Sequence, residues 1–256
     1  MRTLTVAIGN TSILLGTFSG RRLERAWRCS RTPQRAGRAL KDAATSALES
    51  VRGSFDCIVF CSVVPKLTDT VVRLIRRRWK IDPLQLTATS SHGLRIGYRE
   101  PNELGADRVA AALGAQKRFP KEDVIVIDCG TATTVTALRA DGHLLGGAIL
   151  PGVGLWPEML ITRTAQLPVV ALQRPHRALG RSTHEAITSG IFFGHVGAVR
   201  ETVARVRAEA FPGKTARVVA TGGNASLFKR EKLFDTLAPH LVLEGLVEFA
   251  QRQLAV

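Results

Sequence analysis

One pattern occurs twice in this chain and constrains its fold more than any other feature. The segment TVAIGNTSILLGTFSGRRLERA corresponds to IVIDCGTATTVTALRADGHLLG, with Gly9 falling on Gly130 and Ala7 on Asp128. Each copy reads as strand, glycine turn, strand, turn, strand and then helix, because apolar β runs are punctuated by Gly or Asp-Gly. A duplicated β-β-β-α unit implies an α/β chain of two like halves with a ligand cleft between them. The expected domains are 1–118 and 119–256.

The rest of the chain fits this frame, and its 256 residues suit two modest domains. PQRAGRALKDAATSALESV has apolar positions at helical spacing. FDCIVFCSVV reads as a buried strand ending at Pro65, and Lys66–Lys80 as a basic helix. A short strand at Leu84–Leu86 and a helix over GADRVAAALGAQKRF follow. Beyond the second copy, helices are expected after Pro151-Gly152 and over Thr183–Ala210, then a strand in ARVVATGG and a closing helix in LVLEGLVEFAQRQL.

The formal net charge is +15, with basic clusters in RLIRRRWK and GRRLERAWRCSR. Such a surface attracts polyanions. The clusters lack the interleaved aromatics of a nucleic-acid platform, so a solvated Arg-rich surface is expected and nucleic acid is not. Cys29, Cys57, Cys61 and Cys129 form no CxxC pair and read as reduced core thiols. The six histidines show no HxxxH or HExxH spacing, so no structural metal site is expected. The N-terminal apolar run is too short and too early for a signal peptide, and no later run approaches the ~20 residues that span a bilayer. A cytoplasmic location is expected.

Four motifs carry candidate chemistry. Gly9-Asn10-Thr11 at a strand tip is either a hairpin turn or a loop whose backbone N–H groups and hydroxyl meet phosphate oxygens. Asp128-Cys129-Gly130-Thr131 is either an Asx-type turn or a cation and phosphate site. Asn102 to Arg108, ahead of an Ala-rich helix, offers a surface ion pair or an acid/base carboxylate with an anion-binding guanidinium beside it. Ala220-Thr221-Gly222-Gly223-Asn224 is a strand-to-helix turn or a close backbone approach to a flat ligand such as adenine.

Taken in order, IGNTS, SVVP, GYREPNELGADRVAAALGA, IDCGTATTVTAL, GGAILPGVGL, TAQLP, LGRSTHEAITSGIFFG, ATGGNASLF and LEGL resemble the type III pantothenate kinases along nearly the whole chain. The resemblance implies two ribonuclease-H-like domains of the actin-like kinase superfamily and a homodimer with the pantothenate site at or near the subunit interface. It implies ATP-dependent phosphorylation of pantothenate to 4′-phosphopantothenate, the first step of coenzyme A synthesis. A monovalent cation, potassium or ammonium, and Mg2+ are implied too. By the same resemblance Asp107 is the base, and Tyr98, Gly105, Ala106, Arg108 and Thr183 are substrate contacts, Arg108 being suited to the pantothenate carboxylate. Asp128 matches the monovalent-cation ligand and Thr131 an ATP contact. Ala7, Ile8, Gly9, Asn10, Thr11, Ser12, Ile13 and Leu14 match the nucleotide-binding segment.

The chain departs from the family at two points. Ala7 stands where the first motif carries Asp, and Leu14 and Leu15 stand where a Lys is often found. One acidic and one basic phosphate-facing group are therefore missing. Metal-assisted charge neutralisation is worth several kcal/mol, and about 1.4 kcal/mol is tenfold in rate. Three readings follow: a working kinase with an altered nucleotide site, a weakened relative acting as a regulatory or transcription accessory protein, and a kinase with another acceptor or donor.

Overall fold

The computed structural model describes residues 1–30, 38–164 and 166–255. The PQRAG start of the first expected helix and Ala165 of the TAQLP motif lie outside the described residues. The chain divides into two compact units: Met1–Pro120 with Gly142–Leu144 and His240–Val256, and Lys121–Asp141 with Leu145–Pro239.

The first unit opens with β1 (Arg2–Ile8), β2 (Ser12–Ser19) and β3 (Arg22–Ser30). There follow α1 (Arg38–Glu49), β4 (Cys57–Ser62), α2 (Pro65–Trp79), β5 (Leu84–Leu86), β6 (Arg95–Ile96) and α3 (Ala106–Arg118). Its five-stranded sheet has the order β3-β2-β1-β4-β5, with β1 antiparallel to β2 and parallel to β4. β1 is central, so both faces are covered and its side chains after Arg2 are all buried. Leu4, Val6 and Ile8 join Ile13, Leu15, Ile58 and Phe60 in one core. Thr3, Thr5 and Ala7 alternate onto the opposite face.

α2 starts on Pro65 and buries Leu67, Val71 and Ile75 at four-residue spacing. Its basic last turn carries Arg76, Arg77 and Arg78, and Lys80 ends it in the left-handed region at φ 59°. Part of that basic run is tied into the fold. Arg76 pairs with Asp82 at 2.5 Å, and Arg78 donates to the Val51 carbonyl at 2.6 Å.

The second unit holds β7 (Val124–Cys129), β8 (Ala132–Leu138), most of β9 (His143–Pro151), α4 (Leu155–Arg163), α5 (Thr183–Ala210), β10 (Arg217–Thr221) and β11 (Thr236–Leu237). The repeat takes physical form here. β7 is antiparallel to β8 and parallel to β10, as β1 is to β2 and β4. Ala7 pairs with Leu14 and Cys61, and Asp128 pairs with Thr134 and Thr221. Ala7 and Asp128 thus hold equivalent places in the two sheets. The core gathers Ile125, Ile127, Val135, Phe192, Val196, Val218 and Phe228.

The last helix, α6 (Leu241–Leu254), clusters with the first unit and not with the second domain expected at 119–256. The reason is its seam with α3. A β-carbon on Gly114 would overlap the Leu241 carbonyl, and one on Gly245 would overlap the Ala110 carbonyl. Two glycines let the helix backbones touch, a closeness no side-chain pair allows.

Candidate active site

In the first unit the chain is steered into the site by β6. Arg95 and Ile96 pair with His143 and Leu144, and Gly97 donates its N–H to the Leu144 carbonyl at 2.8 Å. Tyr98 follows directly. A 3-10 turn at Pro101–Glu103 then leads to Gly105, the N-cap of α3. Asp107 sits in the first turn of that helix, where the dipole favours an anion. Its Oδ1 accepts from the Arg108 N–H at 2.8 Å. Arg108 Nη1 donates to the Tyr98 phenol at 2.5 Å, and its guanidinium lies 5.3 Å from the ring centroid. Tyr98 therefore holds Arg108 by both its edge and its face. Ala106 is buried beneath this turn.

The electrostatics are specific. Asp107 is half-buried, and the protein atoms crowding its carboxyl push its pKa up, against the pull of the Arg108 N–H and charge. Its charge reaches Cys61, whose thiol is pushed up first by full burial and then by Asp107. Cys61 is the β4 residue in register with Ala7. Paired residues in a sheet share a face, so Ala7 and Cys61 lie on the same side of this sheet, and Asp107 is near enough to act on the Cys61 thiol.

The loop Gly9-Asn10-Thr11 joins β1 to β2 in the first unit. Gly9 donates its N–H to the Ser12 carbonyl at 2.9 Å. Ile8 and Ile13 bury their side chains in the core, at 2% and 1% exposure, and pair with each other in the β1–β2 ladder; the Ile8 carbonyl accepts from the Val63 N–H at 3.0 Å. Leu14 is half-buried beside Ala7. Arg28, absent from the sequence-derived site residues, donates from Nη1 to Ser12 Oγ at 3.0 Å.

In the second unit Asp128 leaves β7 half-buried, against Gly222. Gly222 adopts φ +92°, and a β-carbon there would overlap Asp128 Oδ1 and stand 2.7 Å from Cys129 backbone atoms. Gly222 thus makes room for the Asp128 turn, and it stands between β10 and the 3-10 turn at Ala225–Phe228, the strand-to-helix turn that was one of the two readings of this motif. A β-carbon on Gly152 would overlap the Thr131 carbonyl, and Gly152 donates its N–H to that carbonyl at 3.0 Å. Among the described residues no three His, Cys, Asp or Glu side chains gather as a metal cluster. Asp128 Oδ1 lies against the Gly222 and Gly130 turns, where a carboxylate and nearby oxygen donors could take a hard cation. Behind it, Thr133 meets buried His195 at 3.3 Å, and burial lowers the His195 pKa to about 4.

Thr183 is exposed at the start of α5. Side-chain caps fix that end: Ser182 Oγ accepts from the Glu185 N–H, and the Glu185 carboxylate accepts from the Arg181 N–H. Thr183 borders a cavity of about 1000 Å³ in the second unit, lined by Trp156, Met159, Leu160 and Ile187. The sequence reading missed this groove, because α4 has no one-sided apolar stripe to announce it.

The model of the family "Type III pantothenate kinase" matches residues 3–205. A type III pantothenate kinase from Legionella pneumophila strain Corby is 40% identical over 250 residues, 95% of this chain and 96% of that protein. One from Dehalococcoides mccartyi strain CBDB1 is 37% identical over 247 residues, covering 95% and 93%. Among solved structures, a Campylobacter jejuni protein described as a conserved candidate transcriptional activator of the Baf family has a TM-score of 0.62 at 18% identity, covering 99% of this chain and 100% of that one. The ADPNP-bound activator of the Clostridium difficile 2-hydroxyisocaproyl-CoA dehydratase has a TM-score of 0.53 at 14% identity, covering 100% and 98%. At these identities the structural likenesses show the fold alone, which is that of the actin-like ATPases and kinases. With the family match across most of its length, the chain belongs to the type III pantothenate kinase family.

Proposed function

We propose that this chain transfers the terminal phosphoryl group of ATP to the hydroxyl of pantothenate, giving 4′-phosphopantothenate and ADP at the first step of coenzyme A synthesis. The observation that carries this reading is the Tyr98–Arg108–Asp107 arrangement at the start of α3. It joins a carboxylate with a raised pKa to a guanidinium pinned by a phenol. Arg108 takes the pantothenate carboxylate, while Tyr98, Gly105 and Ala106 shape the acceptor site around it.

Phosphoryl transfer passes through a loose transition state, so the protein chiefly positions groups and neutralises charge. The acceptor oxygen bonds to the γ-phosphorus as the bond to the bridging oxygen of ADP breaks. The hydroxyl proton passes late to Asp107, and a raised pKa makes that carboxylate a better proton acceptor. In the first unit the backbone of Ala7 to Leu14 and the hydroxyls of Thr11 and Ser12 serve the nucleotide. In the second, Thr131 does so, and Asp128 would hold potassium or ammonium. Mg2+ bound with the nucleotide phosphates would supply charge neutralisation there. Ala7 offers it no ligand from β1.

The exposed apolar side chains of the second unit support a homodimer. Ile149, Met159, Ile161, Val169 and Leu179 all face solvent there. Apolar side chains gathered on one surface would mark an interaction site, and Met159 lines the same groove as Thr183. Among the described residues no helix is long and apolar enough to cross a membrane. The test is a coupled assay with pantothenate, ATP, Mg2+ and potassium. Turnover dependent on pantothenate is expected; a folded dimer that gives none at high ATP and potassium overturns the reading.

A further inference from the structure

The sheet of the first unit carries a row of side chains across its strands. Arg28 on β3 pairs with Leu14 on β2, Leu14 with Ala7 on β1, and Ala7 with Cys61 on β4. Directly paired residues share a face, so the row runs along one side of the sheet from Arg28 to the neighbourhood of Asp107. Trp27 and Cys29 pack against the core on the other side, so Arg28 turns away from it. The register is continuous from Ser12/Ser30 to Thr17/Arg25, and the bulge lies beyond it.

Arg28 does not point away from the glycine loop. Its Nη1 reaches Ser12 Oγ, the residue whose carbonyl closes the Gly9 turn. Among the described residues no carboxylate pairs with it, and it is exposed. Position 7, further along the row, is a methyl group. This end of the loop therefore carries a cation and no acid. A guanidinium has five donors in a planar fork, and one bond to a hydroxyl leaves most of them for an anion.

We infer that Arg28 is a donor-phosphate contact of this chain, reaching the nucleotide across β2 and supplying the positive charge that neither Leu14 nor Leu15 provides. The inference rests on the reading of Gly9–Ser12 as a phosphate loop. It differs from a bracing role, in which Arg28 would merely steady the hairpin through Ser12.

The test measures ATP and pantothenate binding to the full chain by calorimetry, with melting temperature alongside. Arg28→Met keeps the apolar stem and is expected to weaken ATP binding about tenfold, the scale of one charge-assisted phosphate contact. Arg28→Lys retains the charge without the fork and falls between. Arg25→Met removes another cation from the same strand and controls for net charge, with ATP affinity unchanged. Pantothenate affinity and melting temperature stay at their wild-type values throughout. The inference is overturned if Arg28→Met binds ATP like wild type, if Arg25→Met weakens it equally, if the loss comes with a lower melting temperature, or if wild type binds no ATP. Because the readout is ATP binding, absence of pantothenate turnover sinks the proposed function without deciding the role of Arg28.

Discussion

The Asp107 carboxylate folds back over Gly105, so that a β-carbon at residue 105 would stand 2.6 Å from Oδ1. Gly105 has φ −59° and ψ 135°, which any residue adopts. Replacing it with Ala therefore strains no backbone and falls on the Asp107 side chain alone. Gly105→Ala is expected to lower kcat about a hundredfold, the cost of a displacement near 1 Å in a catalytic group. Its melting temperature should stay close to wild type. A variant with full kcat would show that this carboxylate orientation is not the working one.

The same carboxylate links activity to stability. Folding raises the Asp107 pKa, chiefly through burial. Between the ordinary carboxylate value and the raised one, the native state binds more protons than the unfolded chain. Stability then falls as pH rises through that window. Asp107→Asn removes the buried charge, so it should melt higher than wild type at neutral pH while losing about 10²-fold or more in kcat. The wild-type kcat profile should rise with pH on an acid limb above the usual carboxylate range. Unfolding scans across pH and a pH–rate series check both; equal melting temperatures at neutral pH would contradict the burial argument.

Arg108 depends on Tyr98 for its place. Tyr98→Phe removes the phenol that accepts from Nη1 but keeps the ring under the guanidinium. A roughly tenfold rise in the pantothenate KM is expected, with the ATP KM unchanged, since one lost hydrogen bond to a charged group costs about 1.5–3 kcal/mol at most. Arg108→Lys should do more, because an ammonium replaces neither the fork nor the stacking. Steady-state kinetics with each substrate varied separates the two effects. A Tyr98→Phe change confined to the ATP KM would place the acceptor elsewhere.

Much of this was legible in the chain. The two hairpins, the buried strand through Cys57 and Cys61 and the long α5 follow from apolar periodicity and glycine punctuation. The equivalence of Ala7 and Asp128 followed from overlaying the repeats, although the first loop is one residue longer. Long-range packing was not legible. Local pattern cannot tell that α6 returns to α3, since Gly114 and Gly245 matter only once the helices meet. Arg28 gave half a signal. Its alternation with Trp27 and Cys29 sets its face, but its reach to Ser12 depends on a cross-strand register that the Ser19-Gly20 turn and the bulge near Thr17 decide together.

The glycine seam between α3 and α6 carries its own prediction. The atoms crowding Gly245 are the Ala110 carbonyl and the Gly114 backbone, with no flexible side-chain end to yield. Gly245→Ala must therefore push the helices apart. In an isolated helix the same change would stabilise by up to about 1 kcal/mol. Here overpacking dominates, and a net loss of about 1–3 kcal/mol is expected. Chemical denaturation of the variant measures it; unchanged stability would mean that the helices are free to slide.

Ala7→Asp tests the residue that sets this chain apart. Ala7 is in register with Cys61, which lies in the field of Asp107. A carboxylate at position 7 would share that face of the sheet. Two effects follow, and they are separable. Beside nucleotide phosphates the new carboxylate gives Mg2+ a ligand from β1, so turnover at saturating Mg2+ should rise about tenfold, a modest share of what metal-assisted neutralisation supplies. As a second anion near Asp107 it disfavours ionisation of both, so the acid limb of the pH–rate profile should move to higher pH. The gain should therefore be largest above neutrality and shrink below it. An active enzyme whose rate Ala7→Asp leaves flat at every pH would show that charge neutralisation at this loop has passed to another group. In that case Arg28→Met should cost the same in the Ala7→Asp background as in wild type.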